Sequence, residues 1–467
     1  MKMKNLIKSG IAALALILGV GNAAAEGLGS VRAASPVPEW LRSAVIYEAN
    51  LRQGTPERNL KGLERQLPRL HDLGVDVIWL MPIHPISVKE RKGTLGSYYA
   101  VQDYKKVNPE FGTMADLQQL VKAAHSFGMK VIIDEVCNHT GADNVWVTTH
   151  PEYYHLNENG EMHGIYDWTD VLKLDYSKKE TRAAMIDALR FWIVNADIDG
   201  YRCDVAGEVP TDFWEEARVA LQSVKPIMML AEAAKPELLK MAFDVDYAWP
   251  MKDVFDAIAL SKGVNTWAVE KKLEKPQMNA QNIPALLAKQ KEEYPAGAMH
   301  MNMVTNHDLN SWEGTEFDRY GDGMHAFAVL SYTLPGIPMI YTGQEIGFNH
   351  AFEFFEHDPV IPMPVHNEYT EFYKKLNLLK HKNHALDAYQ PYNQTEFFET
   401  DNEDVLAFTR KTDTNQVTVI VNLSNGPVNV NWKGEKPNVE GTTDWFSTAT
   451  GSLPDKLSAW EYRIFIQ

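Results

Sequence analysis

The chain has 467 residues, 45% hydrophobic and 23% charged, which suits a large α/β barrel with an accessory domain and is too long for one small core. A formal net charge of −17 argues against nucleic acid as a partner, because phosphate binding needs a basic surface. With only two cysteines, Cys137 and Cys203, the chain is no disulfide scaffold, and both thiols are expected to be free and buried.

In chain order, residues 1–25 read as a secretory signal. Lys2, Lys4 and Lys8 precede a short apolar run over 11–20, and Ala23, Ala24 and Ala25 offer a small-residue cleavage site. The run is too short for a membrane span, so export to the periplasm or the medium is expected. Residues 26–38 are linker-like. Short β-rich runs follow at 45–48, 75–80, 130–133, 198–202, 227–231, 243–247, 301–305 and 337–341. Between them apolar residues recur at helical spacing, as in Leu117, Leu120, Val121 and Ala124, or Met185, Leu189 and Trp192. Eight strands alternating with helices predict an α/β fold, a (β/α)8 TIM barrel built from 39–139 and 178–384. The interval 140–177 is too long for an ordinary connection and predicts a small excursion domain after the third strand. Residues 385–467, with β-type runs at 405–408, 417–421, 428–430 and 462–466, predict a C-terminal antiparallel β-domain.

Four carboxylate-bearing segments mark the ends of strands. They are Asp134 to His139, Gly200 to Asp204, Leu230 to Ala233 and Val304 to Asp308. Charge at the end of a buried strand costs desolvation free energy, so its repetition needs a reason. Parallel barrel strands point their carboxyl ends at one face, which gathers these acids around one pocket.

In order and context the four segments resemble the conserved regions of the α-amylase family of glycoside hydrolases. Gly96-Ser97-Tyr98-Tyr99 leading to Asp103-Tyr104, the run Asn108-Pro109-Glu110-Phe111-Gly112-Thr113, and Pro335-Gly336-Ile337-Pro338 through Glu345 add to the likeness. The resemblance implies Asp204 as nucleophile, Glu232 as general acid/base and Asp308 as transition-state stabiliser. A retaining glycosidase uses two carboxyl groups about 5–5.5 Å apart, one ionised to attack and one protonated to release the leaving oxygen. A third carboxylate nearby raises a neighbour's proton affinity, and Arg202, two residues before Asp204 on the same strand face, is expected to keep the nucleophile ionised. The resemblance also implies sugar contacts at His139 and His307 and a stacking ring at Tyr99, with Tyr98 as the rival. Trp146, Trp168, Trp249 and Trp312 are further candidate platforms.

The chain departs from the family pattern in three places. Gly207 and Glu208 stand where many α-amylases carry Lys-His, and Val205 follows the nucleophile as it does in resembling enzymes that act on α-1,6 bonds. No cofactor is needed for the chemistry. The family's usual calcium implies ligands among Asn138, Asp170 and Asp175, yet Lys173 falls where a carboxylate ligand is expected. Either a shifted alignment preserves a calcium site, or the Lys173 ammonium replaces the ion and bonds Asn138.

The leading expectation is an exported, monomeric hydrolase of α-1,4 bonds in starch and maltooligosaccharides, with an α-glucan as its partner. The alternatives are an α-1,6-glucosidase or glucosyltransferase with the same machinery, and a catalytically silent glycan-binding barrel.

Overall fold

The computed structural model describes residues 37–359, 361, 365–388 and 395–467. The expected signal segment and most of the linker lie outside them. Eight parallel strands close a barrel: β1 (Ile46–Ala49), β2 (Val77–Leu80), β3 (Lys130–Glu135), β4 (Gly200–Cys203), β5 (Met228–Ala231), β6 (Val245–Tyr247), β7 (Met299–Asn302) and β8 (Ile337–Tyr341). Each strand pairs with its sequence neighbours, and β8 closes on β1. Almost every strand residue is buried, as expected when helices cover the outer face and side chains fill the inner one.

Local chemistry sets the surrounding helices. Asn59 caps Leu60–Leu73 by accepting from Gly62 N–H, and Thr113 with Asp116 forms a capping box on Met114–Ser126. The predicted apolar stripes of Met114–Ser126 and Lys179–Ala196 are buried. Gly200 opens β4 at φ 151°, and a Cβ there would meet Met228 O at 2.0 Å. No larger residue fits at that strand entrance.

One strand shifts from its expected place. The seventh strand forms at Met299–Asn302 and not at 301–305, because Asn306 instead caps a helix, His307–Trp312, by accepting from Leu309 N–H. The excursion forms after β3 as expected, held by the antiparallel pair His139–Gly141 and Val171–Lys173.

Beyond the barrel, Thr395–Thr400, Val405–Lys411, Gln416–Asn422 and Tyr462–Ile466 form the centre of a six-stranded antiparallel sheet. Leu406, Phe408, Val417 and Val419 join the same continuous core as the barrel. Buried Arg410 donates to the carbonyls of Thr333 and Leu334, both at 3.3 Å, at the end of the helix before β8. Among the described residues no helix is long and apolar enough to cross a membrane.

Candidate active site

The strand ends bring Asp134, Asp204 and Glu232 together around one guanidinium, while Asp308 arrives on the helix after the seventh strand. Arg202 on β4 is fully buried, and its NH1 lies 2.8 Å from Asp134 Oδ1 and 2.9 Å from Asp204 Oδ1. Its NH2 lies 3.0 Å from Glu232 Oε2, and its Nε donates to the Tyr247 hydroxyl at 3.1 Å. The rings of Trp79, Tyr99 and Tyr247 surround the cation, with centroids 5.3–5.6 Å away. A planar, weakly hydrated guanidinium suits such a cage better than an ammonium would. The β3–β4 register sets Asp134 opposite Arg202, and the alternation of a strand turns Glu135 away toward His84 in the outer layer.

Asp204 and Glu232 are each the first residue past a strand. Asp204 N–H donates to Glu135 O at 3.0 Å, and Glu232 N–H donates to Cys203 O at 3.0 Å, so the sheet ladder continues through both. Val205 then turns into the left-handed region at φ 38°, ψ 44°, a rare conformation for a β-branched residue. The turn aims Val205 N–H at Glu232 Oε2, 2.7 Å away.

Tyr99 takes the ring position and Tyr98 does not. The Tyr99 ring stacks on His307 at 5.4 Å and on Phe354 at 6.2 Å, and its hydroxyl lies 3.1 Å from Asp134 Oδ2 and 2.7 Å from His307 Nε2. Tyr98 instead donates to Asn50 and packs under Arg52. His139 Nε2 lies 4.0 Å from Asp204 Oδ2, while the Asn138 amide nitrogen sits 3.1 Å from His139 Nδ1. This leaves the His139 proton on Nε2, facing the nucleophile position. Asp308 lies 3.2 Å from His307 Nε2 and is the most open of the three acids, with 36% of its side chain exposed.

The four tryptophans separate. Trp168 packs edge-on to His139 at 5.4 Å, and Trp312, 45% exposed, adjoins Phe354 at 5.6 Å, so both border the site. Trp249 backs Tyr247. Trp146 packs between Tyr104 and Tyr153, beside the helix Lys179–Ala196.

Burial dominates the electrostatics. It raises the proton affinity of Asp204 and of Glu232 above the ordinary carboxylate range, although Arg202 pulls both down. Arg202 therefore moderates the burial cost at Asp204 without overcoming it. Burial lifts Asp308 to about 6, with His307 opposing and Glu232 reinforcing. His139 is lowered to about 4 by burial, against the pull of Asp170, so it is neutral at pH 7. Both cysteines are buried, free thiols, as expected.

Sequence reasoning missed Glu48, Trp79, Tyr247 and Phe354 as members of this site. Glu48 carries a comparable signal, a carboxylate inside the apolar strand Ile46–Ala49.

The three residues expected as calcium ligands have other partners here. The Asp170 carboxylate is nearly buried and is paired with Lys92 Nζ at 2.9 Å. Asp175 accepts from Ser177 N–H, and the Asn138 amide faces His139. Among the described residues no group of three or more His, Cys, Asp or Glu side chains is arranged to hold a metal ion. The expected bond between Lys173 and Asn138 does not form either. Lys173 ends its strand with its N–H on His163 O and its carbonyl on His155 N–H. The cation at this junction is Lys92.

A closed barrel with three acids and a caged arginine at its carboxyl mouth defines a barrel hydrolase of the glycosidase type. The family model "Alpha amylase, catalytic domain" matches residues 45–171 and 152–405, and "Maltogenic Amylase, C-terminal domain" matches 395–464. The chain belongs to the α-amylase family of glycoside hydrolases. It is similar to α-amylase MalA of Haloarcula japonica, 26% identical over 418 residues, and spans 57% of that protein with 84% of its own length. It resembles a Bacillus cyclomaltodextrinase at 25% over 371 residues, spanning 61% of that protein with 69% of its own. Among solved structures, the maltogenic α-amylase AmyB of Thermotoga neapolitana superposes with TM-score 0.77 at 29% identity, covering 91% of this chain and 99% of that one.

Proposed function

We propose that the protein is a retaining hydrolase of α-1,4-glucosidic bonds in maltooligosaccharides and related starch fragments. One observation carries the reading: Asp204 and Glu232 share one buried guanidinium, with Asp308 beside them at the barrel mouth. In this reading Asp204 attacks the anomeric carbon as its leaving oxygen takes the proton of Glu232. Water then releases the glycosyl-enzyme ester, with Glu232 as base. Asp308 faces the charge that develops on the ring, His139 and His307 hold its hydroxyls, and Tyr99 supports its apolar face. The likeness to a cyclomaltodextrinase and a maltogenic amylase supports short or cyclic maltooligosaccharides as substrates. Val205 favours a second reading, in which α-1,6 bonds are cut or made by transfer. A product time course on maltotetraose, a cyclodextrin and pullulan tests both. Maltose and glucose from the first two are expected, and products arising only from α-1,6 cleavage would overturn the α-1,4 assignment. The basic, apolar and small-residue pattern of 1–25 supports export, which cell fractionation tests.

The raised acids set the pH dependence. Each carboxyl takes up its proton at higher pH than an exposed one, so the ionised nucleophile is lost early as pH falls. The acid limb of kcat/KM is expected above the ordinary carboxylate value of about 4, as a property of the coupled set. A limb at or below that value would remove burial as the controlling influence. A carboxyl whose folded pKa is raised binds more protons folded than unfolded, so it opposes folding at neutral pH, and this penalty fades as pH falls through the folded value.

We also infer that Lys92 supplies the positive charge at the excursion–barrel junction and that no calcium is needed there. Chelation by EDTA is expected to leave the melting temperature unchanged. Lys92→Ala should destabilise the protein by about 1–2 kcal/mol, because Asp170 stays buried while Lys92 is partly solvated. A large EDTA-induced drop reversed by calcium would contradict this.

A further inference from the structure

Glu48 is a fully buried carboxylate on β1, among Ile46, Tyr47 and Ala49. An acid in that position carries a desolvation cost that an apolar side chain would avoid. Both of its oxygens are directed to one residue. Oε1 lies 2.5 Å from His307 Nδ1, and Oε2 accepts from His307 N–H at 3.3 Å. His307 is boxed in on its other sides by the stacked ring and hydroxyl of Tyr99, the edge of Trp79 at 6.0 Å and Asp308 at 3.2 Å. A chain of contacts therefore runs from Glu48 through His307, Tyr99 and Asp134 to Arg202 and so to Asp204.

We propose that Glu48 is a positioning residue for glycoside cleavage, fixing the plane and height of the His307 imidazole against the sugar ring. The proposal rests on the reading of His307 as a sugar contact. An imidazole held at Nδ1 and at its own backbone N–H by one carboxylate can neither flip nor tilt, so the ring edge at Nε2, with Tyr99 and Asp308 beside it, keeps its place at the sugar position. Pre-set geometry of this kind lowers the ordering cost at the moment of reaction. An apolar residue at position 48 would strand two buried polar groups of His307, and the ring would reorient to recover partners.

A double-mutant cycle in kcat/KM on maltotriose tests this, using Glu48→Leu, His307→Ala and the pair. Glu48→Leu alone is expected to lose about 10–100-fold, by analogy with the cost of removing the carboxylate that orients a metal-ligating histidine. In the His307→Ala background the same change is expected to cost nothing further, because Glu48 acts only through that ring. Losses that multiply would overturn the proposal and leave Glu48 a structural acid. A His307→Ala protein as active as the parent would sink the sugar-contact reading, and the proposal with it, which separates the two failures. Glu48→Gln keeps the shape and a hydrogen bond, so it should retain more activity than Glu48→Leu. If Glu48→Leu does not fold, the same cycle is run with Glu48→Gln. Its smaller loss should vanish without His307, and a loss that persists overturns the proposal.

Discussion

Asp204→Asn is expected to fold normally and to lose roughly 10⁴-fold or more in turnover of α-glucans, because an amide cannot form the glycosyl ester. The fold should survive for a reason visible in the site. Arg202 keeps Asp134, Glu232 and the Tyr247 hydroxyl as partners, so the buried cation is not stranded. An asparagine oxygen can still accept from NH1. The substitution also removes one negative charge next to Glu232, which should ease ionisation of that acid slightly. Steady-state rates with a deamidation-free sample, alongside a melting curve, check both halves. Near-parental activity would remove Asp204 from the nucleophile role. Because two displacements restore the starting configuration, the first product from the parent enzyme should be the α-anomer by NMR.

Glu232→Gln should cost about 10²–10⁴-fold on maltooligosaccharides, the usual range for a lost general acid. The loss should depend on the leaving group. An aryl glycoside with an acidic phenol departs without proton help, so its first step should be far less affected. Equal losses on both substrate types, with the first step limiting in each, would count against Glu232 as the acid. The amide can still accept the Val205 N–H, so the turn behind the nucleophile should persist.

Much of this was legible in the sequence because strand ends write themselves in two alphabets at once. An apolar run followed directly by an acid specifies both a buried strand and the face at which it opens, and Asp134 and Glu232 land at such ends, whereas Asp204 follows the mixed run Gly200 to Cys203 and is marked by its motif instead. Helix stripes such as Leu117, Leu120, Val121 and Ala124 were equally plain, since burial enforces their spacing. What escaped depends on contacts between distant segments. Lys92 meets Asp170 across 78 positions of chain, and no local pattern distinguishes it from Lys173, which stands nearer in sequence. Glu48 and His307 are separated by 259 positions and meet only because the last barrel strand closes on the first. Val304 and Thr305 suit a strand and so suggest a later seventh strand than the one that forms, while the cap that opens the following helix, Asn306 on Leu309 N–H, is a side-chain choice. The choice between Tyr98 and Tyr99 turned on which ring the loop rotates inward.

The left-handed turn at Val205 has a consequence for anyone trying to make this protein hardier. A β-branched residue held at φ 38° costs of order 1–3 kcal/mol, which a glycine would recover. Screening variants for survival at high temperature alone would therefore favour Val205→Gly. The same change frees the peptide that points its N–H at Glu232, so the hardiest descendants would drift toward slow ones. A screen that scores sugar release after heating, and not recovery of folded protein, is the one that keeps the turn.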